Sequence, residues 1–136
     1  MIPMIDKDTN AFNSYMEAMK MPKNTEEQIA ARDAAMMEGL KTAIKVPFEG
    51  METAFKAWKY MIEMAKIGNI ASKSDLQVGA KCLETGIWGC YQNVLINLKG
   101  VKDEAYVKEM TEKSEEIVAK SKEHLNEVLS ILESRE

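Results

Sequence analysis

Along this chain apolar residues return every three or four positions and scarcely alternate, the signature of helices rather than strands. A first helix is predicted from about Pro3, a residue at home in a first turn, to about Lys20, with Ile5, Phe12, Met16 and Met19 as its apolar stripe. The segment "MPKNT" stops it. Thr25 followed by Gln28 in "TEEQ" reads as a capping box that starts a second helix, running to the region of Val46. Pro47 has no N–H and a ring that crowds the preceding turn, so a kink or break is predicted there. A third segment, "PFEGMETAFKAWKYMIEMAKI", ends at the Gly68-Asn69 stop signal. After the loop "GNIASK", Ser74 and Gln77 in "SDLQ" predict a second capping box and a fourth helix.

The fourth helix stands apart. From Thr85 to Leu98 it contains no Asp, Glu, Lys or Arg and is apolar or small on all sides, as a helix enclosed by others would be. Gly79, Ala80, Gly86, Gly89 and Cys90 predict close approach of neighbours, which must offset about 1 kcal/mol of helix propensity at each glycine. Gly100 ends the helix. Asp103 then caps a long amphipathic helix with Val107, Met110, Val118, Leu125, Val128 and Leu132 near one face. The expected class is all-α: a multihelical bundle around a buried central helix, about residues 75–98, in one domain spanning 1–136.

Composition narrows the function. With 18 basic and 22 acidic residues among 136, the net charge of −4 offers no field for a phosphate backbone, so nucleic acid is not an expected partner. The uncharged run of 14 residues falls short of a bilayer span, and no basic-then-apolar leader is seen; a soluble, cytoplasmic protein is expected. Cys82 and Cys90 would lie about 12 Å apart on one helix, too far for a mutual disulfide, and are expected to be buried thiols. Among eleven methionines, Met16, Met19, Met36, Met61 and Met64 fall at helical spacing and are expected to fill the core. His124 sits among surface-type residues with no second His, so it reads as a surface residue and no metal site is expected.

Within the uncharged run, Asn93 and Asn97 are four apart on one helix face, a polar ladder continued backward by Cys90, Gly89 and Gly86. Burying an unpaired amide costs roughly 1–3 kcal/mol, so both need partners. Either they bond neighbouring helix ends or a twofold-related copy, or they border a groove suited to a flat heterocycle with donors and acceptors on its edge. Asp75 complements the helix dipole at a helix start, and with Lys73 beside it the pair can divide acid and base roles once partly buried. Asp6 and Asp8, two apart, point to different sides of the first helix: one faces a site and the other solvent.

The wording of several segments goes further. "IDKDTNAFNSYMEAMKMPKNTEEQ", "VPFEGME", "GNIASKSDLQVGAKCLETGIWGCYQNVLINL" and "KDEAYV" resemble, in this order and over nearly the whole chain, the cyclodeaminase domain of formimidoyltransferase-cyclodeaminase and its relative methenyltetrahydrofolate cyclohydrolase. The resemblance is closer to the cyclodeaminase branch. It implies a helical bundle assembled as a homodimer or higher homo-oligomer. The implied activity is that of an ammonia-lyase: formiminotetrahydrofolate closes to methenyltetrahydrofolate with release of ammonia, in histidine degradation and folate one-carbon metabolism. No cofactor beyond the tetrahydrofolate-derived, possibly polyglutamylated, substrate is implied. The family's polar positions match Asp6, Asp8, Asp75, Asn93 and Asn97. Asp75 is then the catalytic proton shuttle, the Asn pair orients the pterin or one-carbon group, and Lys73 or Lys81 meets folate carboxylates.

Family domains begin with helices carrying a Gly-rich "PGGGS"-type segment that has no counterpart here, so a shortened domain with exposed apolar surface and strong self-association is expected. Two alternatives stand beside the cyclodeaminase: the cyclohydrolase, which adds water to methenyltetrahydrofolate, and a non-catalytic helical oligomerisation module. Asp75 and the Asn pair lie 18 residues apart, about 27 Å along one helix, so within one chain they do not serve one small reacting centre.

Overall fold

The computed structural model describes residues 2–135, and the described residues form helices with no strand. Five α-helices follow in order: α1 (Ile2–Met19), α2 (Glu26–Phe55), α3 (Ala57–Ile67), α4 (Lys73–Leu98) and α5 (Glu104–Glu133), with a 3-10 turn at Ile70–Ser72. The all-α expectation is met. The main core is a seam in which Ile44, Met51, Trp58, Ile87, Val94, Val128 and Leu132 are buried, joining α2 and α3 to α4 and α5, and a smaller cluster of Ala11, Ala43 and Val46 lies between α1 and α2. Helix α4 is central in its contacts, packing against α2, α3 and α5.

Two expected caps form. The Thr25 hydroxyl accepts from the Gln28 backbone N–H at 3.1 Å, while the Gln28 side chain accepts from the Asn24 N–H at 3.0 Å. Asp103 accepts from the Tyr106 N–H at 3.1 Å. The capping box expected at Ser74 does not form: Asn69 caps the 3-10 turn through the Ala71 N–H, α4 already begins at Lys73, and Gln77 donates instead to Glu133 on α5 at 2.9 Å. Ser74 lies inside the first turn of α4 rather than at its N-cap, and the Gln77 side chain is turned toward α5.

Pro47 does not break the second helix. It lies buried inside α2, and the interruption comes at Lys56. Proline removes the N–H that would bond the carbonyl four residues back, here Ala43. The Asn97 amide of α4 donates to that carbonyl at 3.4 Å, so the helix continues with its lost bond replaced from outside.

Several expected core positions are open. Helix α1 lies on α2 through buried Ala11 and Ala18, leaving Ile5 68% and Phe12 57% exposed, with Met16 and Met19 also out. Close approach explains the choice: a methyl at Gly39 would lie 2.9 Å from the Tyr15 Cα, so α1 and α2 meet through small residues. Met64 is exposed as well, whereas Met51 is fully buried. On α4, nothing among the described residues lies within 4 Å of a methyl built at Gly86 or Gly89, and Val78, Trp88 and Ile96 are exposed, so much of the face expected to be enclosed is left uncovered by the described residues. His124, expected at the surface, is half-buried, its ring 5.5 Å from that of Phe55 and 6.0 Å from that of Trp58. Its stretch looks solvated because its ring partners sit on α2 and α3.

Candidate functional site

A cavity of about 360 Å³ opens where α1, α2 and α4 converge. Helix α1 contributes Met4, Ile5, Asp8 and Thr9, α2 contributes Val46, Pro47, Gly50 and Ala54, and α4 contributes Cys82, Leu83, Gly86, Cys90 and Asn93. The α4 residues recur at three- to four-residue spacing from Cys82 to Asn93, so one stripe of that helix forms a wall. A methyl at Gly50 would sit 3.4 Å from the Cys90 Sγ and 3.8 Å from the Met4 Cε.

The lining is mostly apolar, with polar groups concentrated on Asp8, Thr9 and Asn93. The Thr9 hydroxyl donates to its own helix at the Ile5 carbonyl, 3.1 Å away, which leaves the Asp8 carboxylate and the Asn93 amide as the groups best placed to meet a ligand. Burial, and then the negative charge of Asp8, push the Cys90 thiol up from its ordinary value. Cys90 therefore stays protonated near neutrality and reads as wall rather than nucleophile. Both cysteines were expected to be buried; instead Cys82 is exposed and Cys90 half-buried, each free.

The residues singled out from the sequence are divided by the structure. Asp8 and Asn93 both line the cavity, whereas Asp6, on the other side of α1, does not. Asn97 lines a separate cavity of about 220 Å³ with Phe12, Tyr15, Leu40 and Gly100. Its amide nitrogen faces the carbonyls of Asn93, at 3.0 Å, and Ala43. Lys73, Asp75 and Lys81 lie outside the main cavity. Lys73 pairs with Glu133 at 3.8 Å, and Asp75 and Lys81 are exposed on the α4 surface. Reading from sequence missed Pro47 and Gly50 as cavity floor and Cys82 as wall. The one signal was the spacing of Cys82, Gly86 and Cys90 along the ladder that leads to Asn93.

Among the described residues no group of three His, Cys, Asp or Glu side chains is arranged to hold a metal ion, and no helix is long and apolar enough to cross a membrane.

Comparison with known proteins gives a consistent set. The family model described as formiminotransferase-cyclodeaminase matches residues 1–116. The chicken (Gallus gallus) formimidoyltransferase-cyclodeaminase is 44% identical over 136 residues, which is 100% of this chain and 25% of that protein. The Dictyostelium discoideum formimidoyltransferase-cyclodeaminase is 46% identical over 128 residues, covering 94% and 23% of the two chains. A methenyltetrahydrofolate cyclohydrolase of Methylorubrum extorquens is 34% identical over 122 residues, covering 87% and 57%. The crystal structure of formiminotetrahydrofolate cyclodeaminase from Thermotoga maritima superposes with a TM-score of 0.81 at 28% identity, covering 97% of this chain and 62% of that one. The chain thus spans about a quarter of the length of the first curated relatives it matches.

Proposed function

The chain belongs to the formiminotransferase-cyclodeaminase family, and from that premise we propose that its α1–α2–α4 cavity receives a tetrahydrofolate one-carbon adduct and promotes ring closure of formiminotetrahydrofolate with loss of ammonia. The observation that carries this reading is that Asp8 and Asn93, from two helices, both line a mostly apolar cavity. An apolar slot with a few convergent polar groups suits a flat heterocycle whose edge carries donors and acceptors.

The chemistry asks little beyond placement and proton transfer. A ring-side nitrogen of the folate attacks the formimino carbon, forming a C–N bond and a tetrahedral centre, which collapses by expelling its amino group as ammonia. A base removes the proton from the attacking nitrogen, and an acid delivers one to the departing amine. Because both reacting groups belong to one molecule, holding them in the reactive rotamer supplies much of the rate. In this reading no metal or redox cofactor takes part.

Asp8 is the carboxylate at the cavity and Asn93 the amide that orients the ring edge. Asp75, the family-motif carboxylate, serves as proton shuttle only for a substrate whose reacting end lies at the start of α4, with Lys73 or Lys81 near its carboxylate tail. The higher identity to the formimidoyltransferase-cyclodeaminases than to the cyclohydrolase favours loss of ammonia over addition of water. The uncovered apolar face of α4 goes with self-association, and the two free cysteines go with a reducing, cytoplasmic setting.

The test is ammonia release from formiminotetrahydrofolate by the wild type and by Asp8→Asn, Asn93→Ala and Asp75→Asn, each verified as folded by circular dichroism. Loss in the first two with Asp75→Asn active assigns the chemistry to the cavity; the reverse moves it to the α4 start. Formyl product from methenyltetrahydrofolate without ammonia release would make the protein a cyclohydrolase. No turnover together with no folate binding by calorimetry would leave a helical assembly module.

A further inference from the structure

We infer that Asn97 is a positioning residue rather than a substrate ligand: it supplies the N–H that Pro47 withholds from the Ala43 carbonyl, and so holds the cavity-lining stretch of α2 against α4. Proline at position 47 cannot donate to the carbonyl four residues back. Asn97, 54 positions away in sequence, donates to that carbonyl from Nδ2 at 3.4 Å. The same nitrogen donates to the Asn93 carbonyl at 3.0 Å. Two carbonyl acceptors dictate which end of the amide faces them, and together they engage both of its N–H groups.

The consequence reaches the site. Val46, Pro47 and Gly50 form the α2 side of the cavity, and Cys90 and Asn93 form the α4 side. Asn97 ties these walls together at the Ala43 carbonyl, one helical turn before Pro47. Asn97 itself lines a different cavity, so it acts on the main one through the helices it joins. This rests on the proposed reading only for the identity of the ligand; the seam itself is a property of α2 and α4.

A mutant cycle separates the two. Asn97→Ala, Pro47→Ala and the double variant are prepared in the full chain. The rate at which Cys90 reacts with a thiol reagent is measured in a Cys82→Ser background, and the affinity for tetrahydrofolate is measured calorimetrically with Cys82 intact. Asn97→Ala is expected to raise Cys90 labelling and weaken binding, each by roughly fivefold, the equivalent of one net hydrogen bond. Pro47→Ala restores a backbone N–H to the Ala43 carbonyl, so the double variant should return to the Pro47→Ala values in both measurements. If Asn97 contacted the ligand, the double variant would bind as poorly as Asn97→Ala, which overturns the inference, as does an Asn97→Ala chain unchanged in both. A wild type that does not bind folate sinks the proposed function while the labelling cycle still decides the seam. Should Asn97→Ala fail to fold, recovery of a folded chain by adding Pro47→Ala supports the inference, and a double variant that also fails overturns it.

Discussion

Arg135 caps the far end of the bundle by reaching Gly68: its Nη2 donates to the Gly68 carbonyl at 2.6 Å while Nη1 donates to the Ala65 carbonyl at 2.7 Å. These carbonyls close α3, where the chain turns through an extended Gly68 at which a methyl would meet the Met64 carbonyl oxygen at 2.5 Å. Two residues earlier Glu133 holds Lys73 and Gln77 at the start of α4, so the end of α5 brackets the whole α3–α4 connection. Arg135→Ala is expected to lower stability by about 1–3 kcal/mol, read as a lower urea midpoint with an unchanged slope. Arg135→Lys should recover only part, because a point charge does not span two carbonyls. An unshifted midpoint in Arg135→Ala would show that the α3 end holds without the clasp.

Two buried serines on α5 should respond differently to truncation. The Ser121 hydroxyl accepts from the Trp58 indole N–H at 3.3 Å, and the indole is fully buried, so Ser121→Ala strands that donor at a cost of about 1–3 kcal/mol. The Ser114 hydroxyl is buried with no hydrogen-bond partner among the described residues, so Ser114→Ala removes a desolvated polar atom and should leave stability unchanged or raised. Thermal unfolding of the two single variants tests the contrast.

Gly89 lies mid-helix with open space beyond it. In the isolated chain Gly89→Ala should therefore raise stability by about 0.5–1 kcal/mol, the ordinary helix-propensity gain. A loss measured at concentrations where the chain self-associates would show that another helix occupies this face.

Stability should carry an acid-sensitive part at the α5 cap. The Tyr106 backbone N–H, and more weakly Lys41, whose Nζ lies 3.5 Å from the carboxylate, hold the Asp103 carboxyl below its ordinary value of 3.8. A carboxylate depressed on folding contributes stability above its unfolded pKa and loses it as pH falls through the folded one. The difference in urea midpoint between wild type and Asp103→Ala should thus be constant above about pH 5 and narrow below pH 3.8. A gap that stays constant into acid would mean that the ionised form adds nothing to the cap.

Asp8 should be felt chemically at Cys90. Its charge adds to burial in raising that thiol, so Asp8→Asn should speed Cys90 labelling at a fixed neutral pH. Burial is the larger cause, so the Cys90 thiol should stay above its ordinary value in the variant as well. An unchanged rate would place the carboxylate too far from the cavity wall to matter.

The sequence by itself determined the all-α class, the family, and the caps at Thr25 and Asp103, because these depend on residues within one turn of each other or on contiguous wording. It also marked Asp8 and Asn93 as positions of interest, though it grouped them with Asn97, Asp75 and the two lysines. Tertiary structure alone decided the rest. Pro47 stays helical with its missing donor replaced by Asn97, 54 positions from the Ala43 carbonyl it serves, which no local pattern reveals. Gln77 abandons a local cap for a carboxylate on α5, and His124 gains aromatic neighbours from α2 and α3. Helical periodicity says which residues share a face; whether a neighbour covers that face depends on where other helices lie, so Ile5, Phe12 and the glycine stripe of α4 read as core and stand open. The separation of Asn93 at the cavity from Asn97 at the seam has the same origin. Two identical side chains one turn apart differ in role because only one of them faces the carbonyl that a proline left without its donor.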